Sequence, residues 1–188
     1  MVNLYAGSGA QDMKNDTNRS LKMLSTALEM EEKGKAFYER VVSTCKNSVG
    51  REIFTMLLED EKVHMNRIKK IYDSLCGGED WCTWDGSELP HSNLTSIFRK
   101  MAKEHGANIS ADTDDLEALD IGIDFEARSV EFYEEQLKKA TDKLEKDFIK
   151  EMISEEKSHY ATLEDMRLYL SDPASWFRER EHGGLDGG

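Results

Sequence analysis

Proline is scarce in this sequence, with only two among 188 residues. Because proline breaks helices and is common in turns, this scarcity argues against a turn-rich β fold. Charged residues make up 34% of the chain, and together with the low proline content this favours long helices. A chain of this length is expected to form one domain with a substantial core.

Segments that would direct the chain into a membrane or out of the cell are also lacking. No hydrophobic run approaches the roughly 20 residues of a membrane-spanning helix. Residues 1–10 lack the basic start and the apolar centre of a secretory signal. There are three cysteines, an odd number that does not suggest a disulfide framework. We therefore expect a cytoplasmic protein.

Basic residues are outnumbered by acidic ones. The chain has 25 Lys and Arg against 38 Asp and Glu, which gives a net charge of −13. Nucleic acids and anionic membranes both attract Lys and Arg, so neither is an expected partner. Part of the acidic excess consists of candidate metal ligands, whose charge a bound cation would neutralise.

What the sequence does contain is an internal repeat, in which positions 95 residues apart match without a gap. The matched pairs are Glu31 with Glu126, Phe37-Tyr38-Glu39 with Phe132-Tyr133-Glu134, and Glu61-x-x-His64 with Glu156-x-x-His159. An internal repeat takes precedence over other signals of the fold. Here it predicts two similar halves.

Apolar residues at spacings of three, four and seven predict four long helices and one short helix. We place them at residues 20–45, 49–75, 93–105, 115–139 and 142–170. The long helices form two hairpins, and residues 77–113 cross over between them and contain the short helix. This predicts an all-α four-helix bundle at 19–171, preceded by a flexible arm at 1–18. The tail at 172–188 is expected to fold back onto the bundle through its aromatic residues.

The spacing of glutamate and histidine in the repeat indicates a metal site. At positions i and i+3 of a helix two side chains lie one turn apart on the same face, so each Glu-x-x-His pair could hold one ion. The other two glutamates lie at a similar height in their hairpins, since each residue rises about 1.5 Å. Two divalent metals would neutralise four buried carboxylates. The predicted metal ligands are Glu31, Glu61, His64, Glu126, Glu156 and His159.

These motifs resemble the rubrerythrin-like branch of the ferritin-like superfamily, over about residues 20–170. The resemblance rests on the repeated glutamates, the Phe-Tyr pairs and the two Glu-x-x-His motifs. It implies a ferritin-like bundle with a long crossover, in which the six ligands bind two iron ions and form the catalytic site. Glutamate oxygen and histidine nitrogen also suit manganese, and zinc could occupy the site on purification.

Rubrerythrin-like proteins are peroxidases, so the resemblance implies a di-iron oxidoreductase that reduces hydrogen peroxide. Rubrerythrin itself carries a rubredoxin domain with paired Cys-x-x-Cys motifs, and this chain has no such motif, so a separate protein must donate electrons. Ser129 stands three residues after Glu126, where rubrerythrin has an additional Glu ligand, which makes this site more symmetric.

Three alternatives remain open for the function. One is a ferroxidase that uses O2 and feeds an iron store, another is a manganese catalase-like protein, and the third is a structural bundle without metal. The peroxidase and ferroxidase hypotheses differ in the preferred oxidant, which is hydrogen peroxide in one case and O2 in the other. In any of these forms we expect a homodimer or a larger homo-oligomer.

Some residues near the motifs have two interpretations. Tyr38 and Tyr133 lie seven residues past Glu31 and Glu126, and they either pack in the core or donate a hydrogen bond to a ligand carboxylate. Asp60 and Glu155 could orient an imidazole, but a solvated helix face is the preferred interpretation. The remaining histidines and the loop cysteines are expected to be solvated side chains and ordinary thiols: His91, His105, His182, Cys76 and Cys82.

Overall fold

The computed structural model describes residues 8–82, 90–107 and 113–182. All regular structure in these ranges is helical, which confirms the predicted all-α fold. The helices are α1 Ser8–Thr44, α2 Ser48–Cys76, α3 Leu94–His105, α4 Thr113–Leu137, α5 Lys143–Ser171 and α6 Pro173–His182. No helix in the described ranges is both long and apolar enough to cross a membrane.

Two helical hairpins form the bundle. Helix α1 packs along α2 and helix α4 packs along α5, while α1 also meets α4 and α2 meets α5. Both second helices start at a capping side chain: Asn47 accepts from the backbone N–H of Gly50 at 2.9 Å, and Asp142 accepts from that of Leu144 at 2.7 Å. Such caps satisfy N–H groups that have no partner within the helix. The caps are themselves 95 residues apart, so the repeat extends to the turns.

The start of the first helix was predicted wrongly. Helix α1 begins at Ser8 rather than near residue 20, so residues 8–18 are helical and do not form a separate arm. Apolar periodicity is absent from this extension, and polar contacts attach it to the α4–α5 turn. Asp16 accepts a hydrogen bond from Thr141 at 3.0 Å, and Arg19 forms an ion pair with Glu145 at 2.7 Å. Residues 1–7 of the predicted arm lie outside the described residues.

The C-terminal segment folds back as predicted, but as a helix. In α6 the indole of Trp176 is fully buried and packs 5.2 Å from the ring of Tyr169 and 6.0 Å from that of Phe98. Its Nε1 also donates a hydrogen bond to Asp165 at 2.8 Å. The short crossover helix α3 lies close to its predicted position and packs on α2 and α5. Residues 83–89, 108–112 and 183–188 lie outside the described residues.

The hydrophobic core is divided into two clusters. On α2 one cluster contains residues from Val49 to Leu58 and the other contains Ile68 to Leu75. On α5 the order is reversed, because the two helices run in opposite directions: the second cluster comes first. The candidate ligands of both helices fall between the clusters, so apolar layers close the bundle on either side of them.

Candidate metal centre

All six predicted ligands converge in the middle of the bundle. They form two groups of three, in each of which one donor atom per residue lies within 4.8 Å of the others. The first cluster consists of Glu31, His64 and Glu156, and the second cluster consists of Glu61, Glu126 and His159. Each of these side chains is at most 2% exposed. Six polar groups in the interior of a bundle require strong internal partners.

The two clusters divide each Glu-x-x-His motif between them. We predicted that Glu61 and His64 could hold one ion, but Glu61 groups with Glu126 and His159 of the other hairpin. In the same way Glu156 groups with Glu31 and His64. Because α2 and α5 lie side by side, the long glutamate of each motif reaches across to the opposite hairpin. The histidine of each motif groups with the lone glutamate of its own hairpin.

Glu156 lies close to both imidazoles. Its Oε1 is 3.2 Å from Nδ1 of His64, and its Oε2 is 3.9 Å from Nδ1 of His159. The two rings stack with centroids 5.6 Å apart. The clusters are therefore neighbours, and one carboxylate lies within 4 Å of the inward nitrogen of each imidazole.

A carboxylate lies behind each imidazole. Nε2 of His64 is 3.2 Å from Glu155, and Nε2 of His159 is 3.3 Å from Asp60. Metal-bound histidines have such outer carboxylates, which hold the ring and its tautomer. The prediction that Asp60 and Glu155 lie on a solvated helix face is wrong, since the Asp60 side chain is 0% exposed and that of Glu155 14%. Each one serves the histidine of the opposite hairpin, which spacing within its own helix does not indicate.

The outer carboxylates have different partners of their own. Glu155 accepts hydrogen bonds from Arg67 at 2.8 and 2.9 Å. Asp60 instead contacts Nδ1 of His91, at 3.1 Å, from the crossover. The prediction that His91 is solvated is wrong, because its side chain is only 16% exposed. His105 is exposed as predicted, whereas the side chain of His182 lies outside the described residues.

The two tyrosines hydrogen-bond to glutamates across the bundle. Tyr133 donates to Glu31 at 2.8 Å, and Tyr38 donates to Glu126. Both tyrosines are also fully buried, so core packing and hydrogen bonding occur together. Burial and the nearby carboxylate charges raise the pKa of both phenols well above the ordinary value, which keeps them protonated as donors.

Burial and mutual repulsion oppose ionisation of three of the four carboxylates. Burial, followed by the charges of neighbouring glutamates, raises the pKa of Glu61 and of Glu126 well above the ordinary value. Burial also raises the pKa of Glu156. Burial acts in the same sense on Glu31, but the charge and hydrogen bond of His64 outweigh it and hold the pKa of Glu31 at about 2.

Several inward-facing atoms have no hydrogen-bond partner among the described residues. They are both carboxylate oxygens of Glu61, Oε2 of Glu126, Oε1 of Glu156 and Nδ1 of His159. Buried polar atoms without a partner are rare and costly. Their positions in the two clusters suit two cations, and carboxylate oxygen with imidazole nitrogen suits iron, manganese or zinc.

Gly34 was not recognised from the sequence as part of the site. A Cβ atom at this position would lie 2.7 Å from the ring of Phe125 and 3.1 Å from the carboxyl carbon of Glu61. Glycine therefore lets α1 approach both side chains. Its repeat equivalent is Ser129, three residues after Glu126, and this match is the signal that could have indicated it.

The fold and the two clusters define a ferritin-like helical bundle with paired carboxylate–imidazole groups. The family model for rubrerythrin matches residues 22–167, a span that includes all six predicted ligands. The chain thus belongs to the rubrerythrin family, and the predicted resemblance is confirmed. No curated protein and no solved structure matches it significantly. Family membership together with the buried clusters indicates a di-iron protein.

Proposed function

We propose that the six clustered residues bind two iron ions and that the protein reduces hydrogen peroxide with electrons from a separate donor protein. The observation that carries this proposal is the position of Glu156, whose two oxygens lie 3.2 and 3.9 Å from the inward nitrogens of the two imidazoles. A carboxylate at this position could serve metals held by either cluster, and a pair of neighbouring metals would suit a two-oxygen substrate such as hydrogen peroxide. The family assignment adds support, because rubrerythrin-like proteins are peroxidases.

A pair of ferrous ions, when bound, supplies the two electrons that together with two protons convert hydrogen peroxide into two molecules of water. The chain itself contributes position and shelter. Asp60 and Glu155 hold the imidazoles from behind, while Tyr38 and Tyr133 hold the lone glutamates. The apolar layers on either side keep bulk water out, which strengthens electrostatic interactions within the site.

The electron donor, the assembly and the compartment are part of the same proposal. We expect a separate donor protein to supply the electrons for each turnover, because residues 1–188 contain no Cys-x-x-Cys motif. A homodimer or larger homo-oligomer in the cytoplasm remains our prediction. Ser129 occupies the position of the additional rubrerythrin ligand, so the proposed centre has four carboxylates.

The proposal is tested by the oxidant preference of the iron-loaded protein. Protein loaded anaerobically with Fe(II) is mixed with either hydrogen peroxide or O2, and oxidation is followed by stopped-flow absorbance. We expect faster oxidation by peroxide. Faster oxidation by O2 would overturn the proposal in favour of a ferroxidase.

A matched pair of variants ties this reactivity to the centre. Glu61→Gln changes a buried ligand and should abolish rapid oxidation, whereas Glu32→Gln changes an exposed acid on α1 and should not. Manganese remains a second candidate because the same donor set suits it. Metal analysis of protein grown with both metals decides this point, and a product containing manganese alone would support a catalase-like function.

A further inference from the structure

A line of contacts connects the crossover with the second cluster. Nδ1 of His91 lies 3.1 Å from Oδ1 of Asp60, and Oδ2 of Asp60 lies 3.3 Å from Nε2 of His159. On its other side, Nε2 of His91 is 3.5 Å from Glu59, whose side chain is 50% exposed. The line therefore runs from the surface through a buried carboxylate to one candidate ligand.

The first cluster has no counterpart of this line in the described part of the crossover. Behind His64 stands Glu155, which Arg67 of α2 holds with two hydrogen bonds. Both of those residues belong to the bundle helices. His91 instead precedes α3, in the segment that joins the two hairpins and has no repeat equivalent. The second cluster thus depends on a part of the chain outside the repeat.

The burial of Asp60 gives His91 its importance. The carboxylate is 0% exposed, and each of its oxygens contacts one imidazole nitrogen. A buried carboxylate is tolerated only when its oxygens have partners. Without His91, Oδ1 would lose this contact, and Asp60 would no longer be held on the side away from His159. The ring of His159 would then lose the support that holds its nitrogen toward the cluster.

We propose that His91 is a positioning residue of the second cluster, acting through Asp60 on His159, so that the crossover is part of the metal centre. The proposal rests on the proposed metal centre and refines it. It makes the two metal positions unequal although their ligands are the same. The position next to His159 depends on the crossover, whereas no described residue of the crossover supports the position next to His64.

The test measures Co(II) binding to the full-length protein by its visible absorption spectrum. Wild-type protein should bind two equivalents. In His91→Leu, which keeps bulk but removes both nitrogens, Asp60 should support His159 less well. One equivalent should then bind about 10-fold more weakly, the lower end of the 10- to 100-fold loss typical when the outer partner of a ligand is itself removed. The other equivalent should keep its affinity. His91→Asn retains a donor near the position of Nδ1 and should restore the weakened equivalent. His105→Ala, an exposed histidine of the same crossover, is the matched control and should behave as wild type.

The outcomes separate this proposal from the one it rests on. If wild-type protein binds no Co(II), the metal centre itself is wrong. If it binds two equivalents and His91→Leu binds both with unchanged affinity and spectrum, the role of His91 is wrong. The proposal is also overturned if His91→Leu stays folded and His91→Asn does not restore the weakened Co(II) equivalent. The bulk of the side chain, rather than its hydrogen-bond donor, would then matter.

A second measurement needs no variant and covers the case in which His91→Leu does not fold. Amide hydrogen exchange of residues 90–105 in wild-type protein is compared with and without Co(II). Metal should slow exchange in this segment by fixing His159 and Asp60. Helix α6 packs on α3 through Trp176 and Phe98, and its described side chains show no contact with His91, Asp60 or His159, so it is the internal reference. Unchanged exchange in residues 90–105 would overturn the proposal.

Discussion

The cluster of Glu31, His64 and Glu156 and the cluster of Glu61, Glu126 and His159 contain the same residue types in repeat-related positions. Their surroundings differ. Behind His64 the support is a glutamate held by an arginine, and behind His159 it is an aspartate held by a histidine of the crossover. The comparison shows that the donor atoms, the tyrosines and the outer carboxylates are duplicated, while the residues that hold the outer carboxylates are not.

The ends of the bundle show the same divergence. Where α1 meets the α4–α5 turn, Glu145 accepts a hydrogen bond from Ser20 at 2.9 Å. At the repeat-related position, Asp115 of α4 accepts a hydrogen bond at 3.2 Å from the backbone N–H of Asn47, which lies in the α1–α2 turn. Ser20 and Asp115 are repeat equivalents. In the first contact this position supplies the hydroxyl donor and its partner supplies the acid, whereas in the second contact this position supplies the acid. A contact between halves can be kept with either partner supplying the charge, whereas a metal ligand has no such freedom.

The largest expected effect is the loss of metal from both clusters after a single substitution. Because the oxygens of Glu156 lie 3.2 and 3.9 Å from the inward nitrogens of the two imidazoles, Glu156→Ala should remove both metal ions, and Glu61→Ala should remove at least one. Metal content after dialysis, measured by plasma mass spectrometry, checks this. Glu32→Ala serves as the exposed control. Retention of two ions by Glu156→Ala would show that the clusters do not share this carboxylate.

The second prediction concerns pH in the metal-free protein. The pKa of Glu61 and of Glu126 is raised above the ordinary 4.5, so above that pH the folded protein holds protons that the unfolded chain has lost. Its free energy of unfolding should therefore fall as pH rises above 4.5. The raised pKa of His64 adds to the fall above its ordinary value of 6.5. Glu31 acts oppositely, but only below 4.5, because its pKa is lowered to about 2.

Thermal melts between pH 5 and 8, with and without metal, test whether the stability of the metal-free protein falls as pH rises. Metal binding releases these protons, so the metal-loaded protein should lose little or no stability over the same range. Stability of the metal-free protein that rises with pH would contradict the assignment of the raised pKa values to the two clusters.

The third prediction asks whether the two tyrosines are equivalent. Tyr133→Phe and Tyr38→Phe each leave a buried carboxylate oxygen without its donor, which should cost about 1–3 kcal/mol of unfolding free energy. Urea unfolding of the metal-free variants at one pH measures both. Similar losses of unfolding free energy in the two variants would show that the tyrosines, like the ligands, have equivalent roles in the two halves. If one variant were neutral, its hydroxyl would not be the partner that the structure shows.

The smallest effect concerns Gly34 and its equivalent. In Gly34→Ala the added methyl group meets Phe125 and Glu61, and overpacking of about 1–3 kcal/mol outweighs a helix-propensity gain of about 1 kcal/mol. The net loss should be about 1 kcal/mol, with weaker metal binding because Glu61 is displaced. Ser129→Ala removes atoms from the equivalent position and should leave metal binding unchanged. Unfolding and metal titrations of both variants check the contrast, and a Gly34→Ala protein with normal metal affinity would contradict it.

Much of the fold could be predicted because it depends on local order along the chain. Apolar spacing placed the long helices, and the repeat singled out Glu31 and Glu126 among many glutamates. The extension of α1 to Ser8 was missed because polar contacts with a distant turn hold it, and these have no periodic signature. The helical form of the tail was missed because its few aromatic residues do not reveal a helical stripe.

The sequence by itself determined which six side chains enter the centre, since a gapless repeat of Glu and Glu-x-x-His is a property of chain order. Only the tertiary structure decided how they are shared. A side chain reaches whichever helix packs beside it, so the partner of Glu61 and of Asp60 follows from the meeting of α2 with α5. The place of His91 follows likewise from the path of the crossover, which carries no repeat from which to infer it.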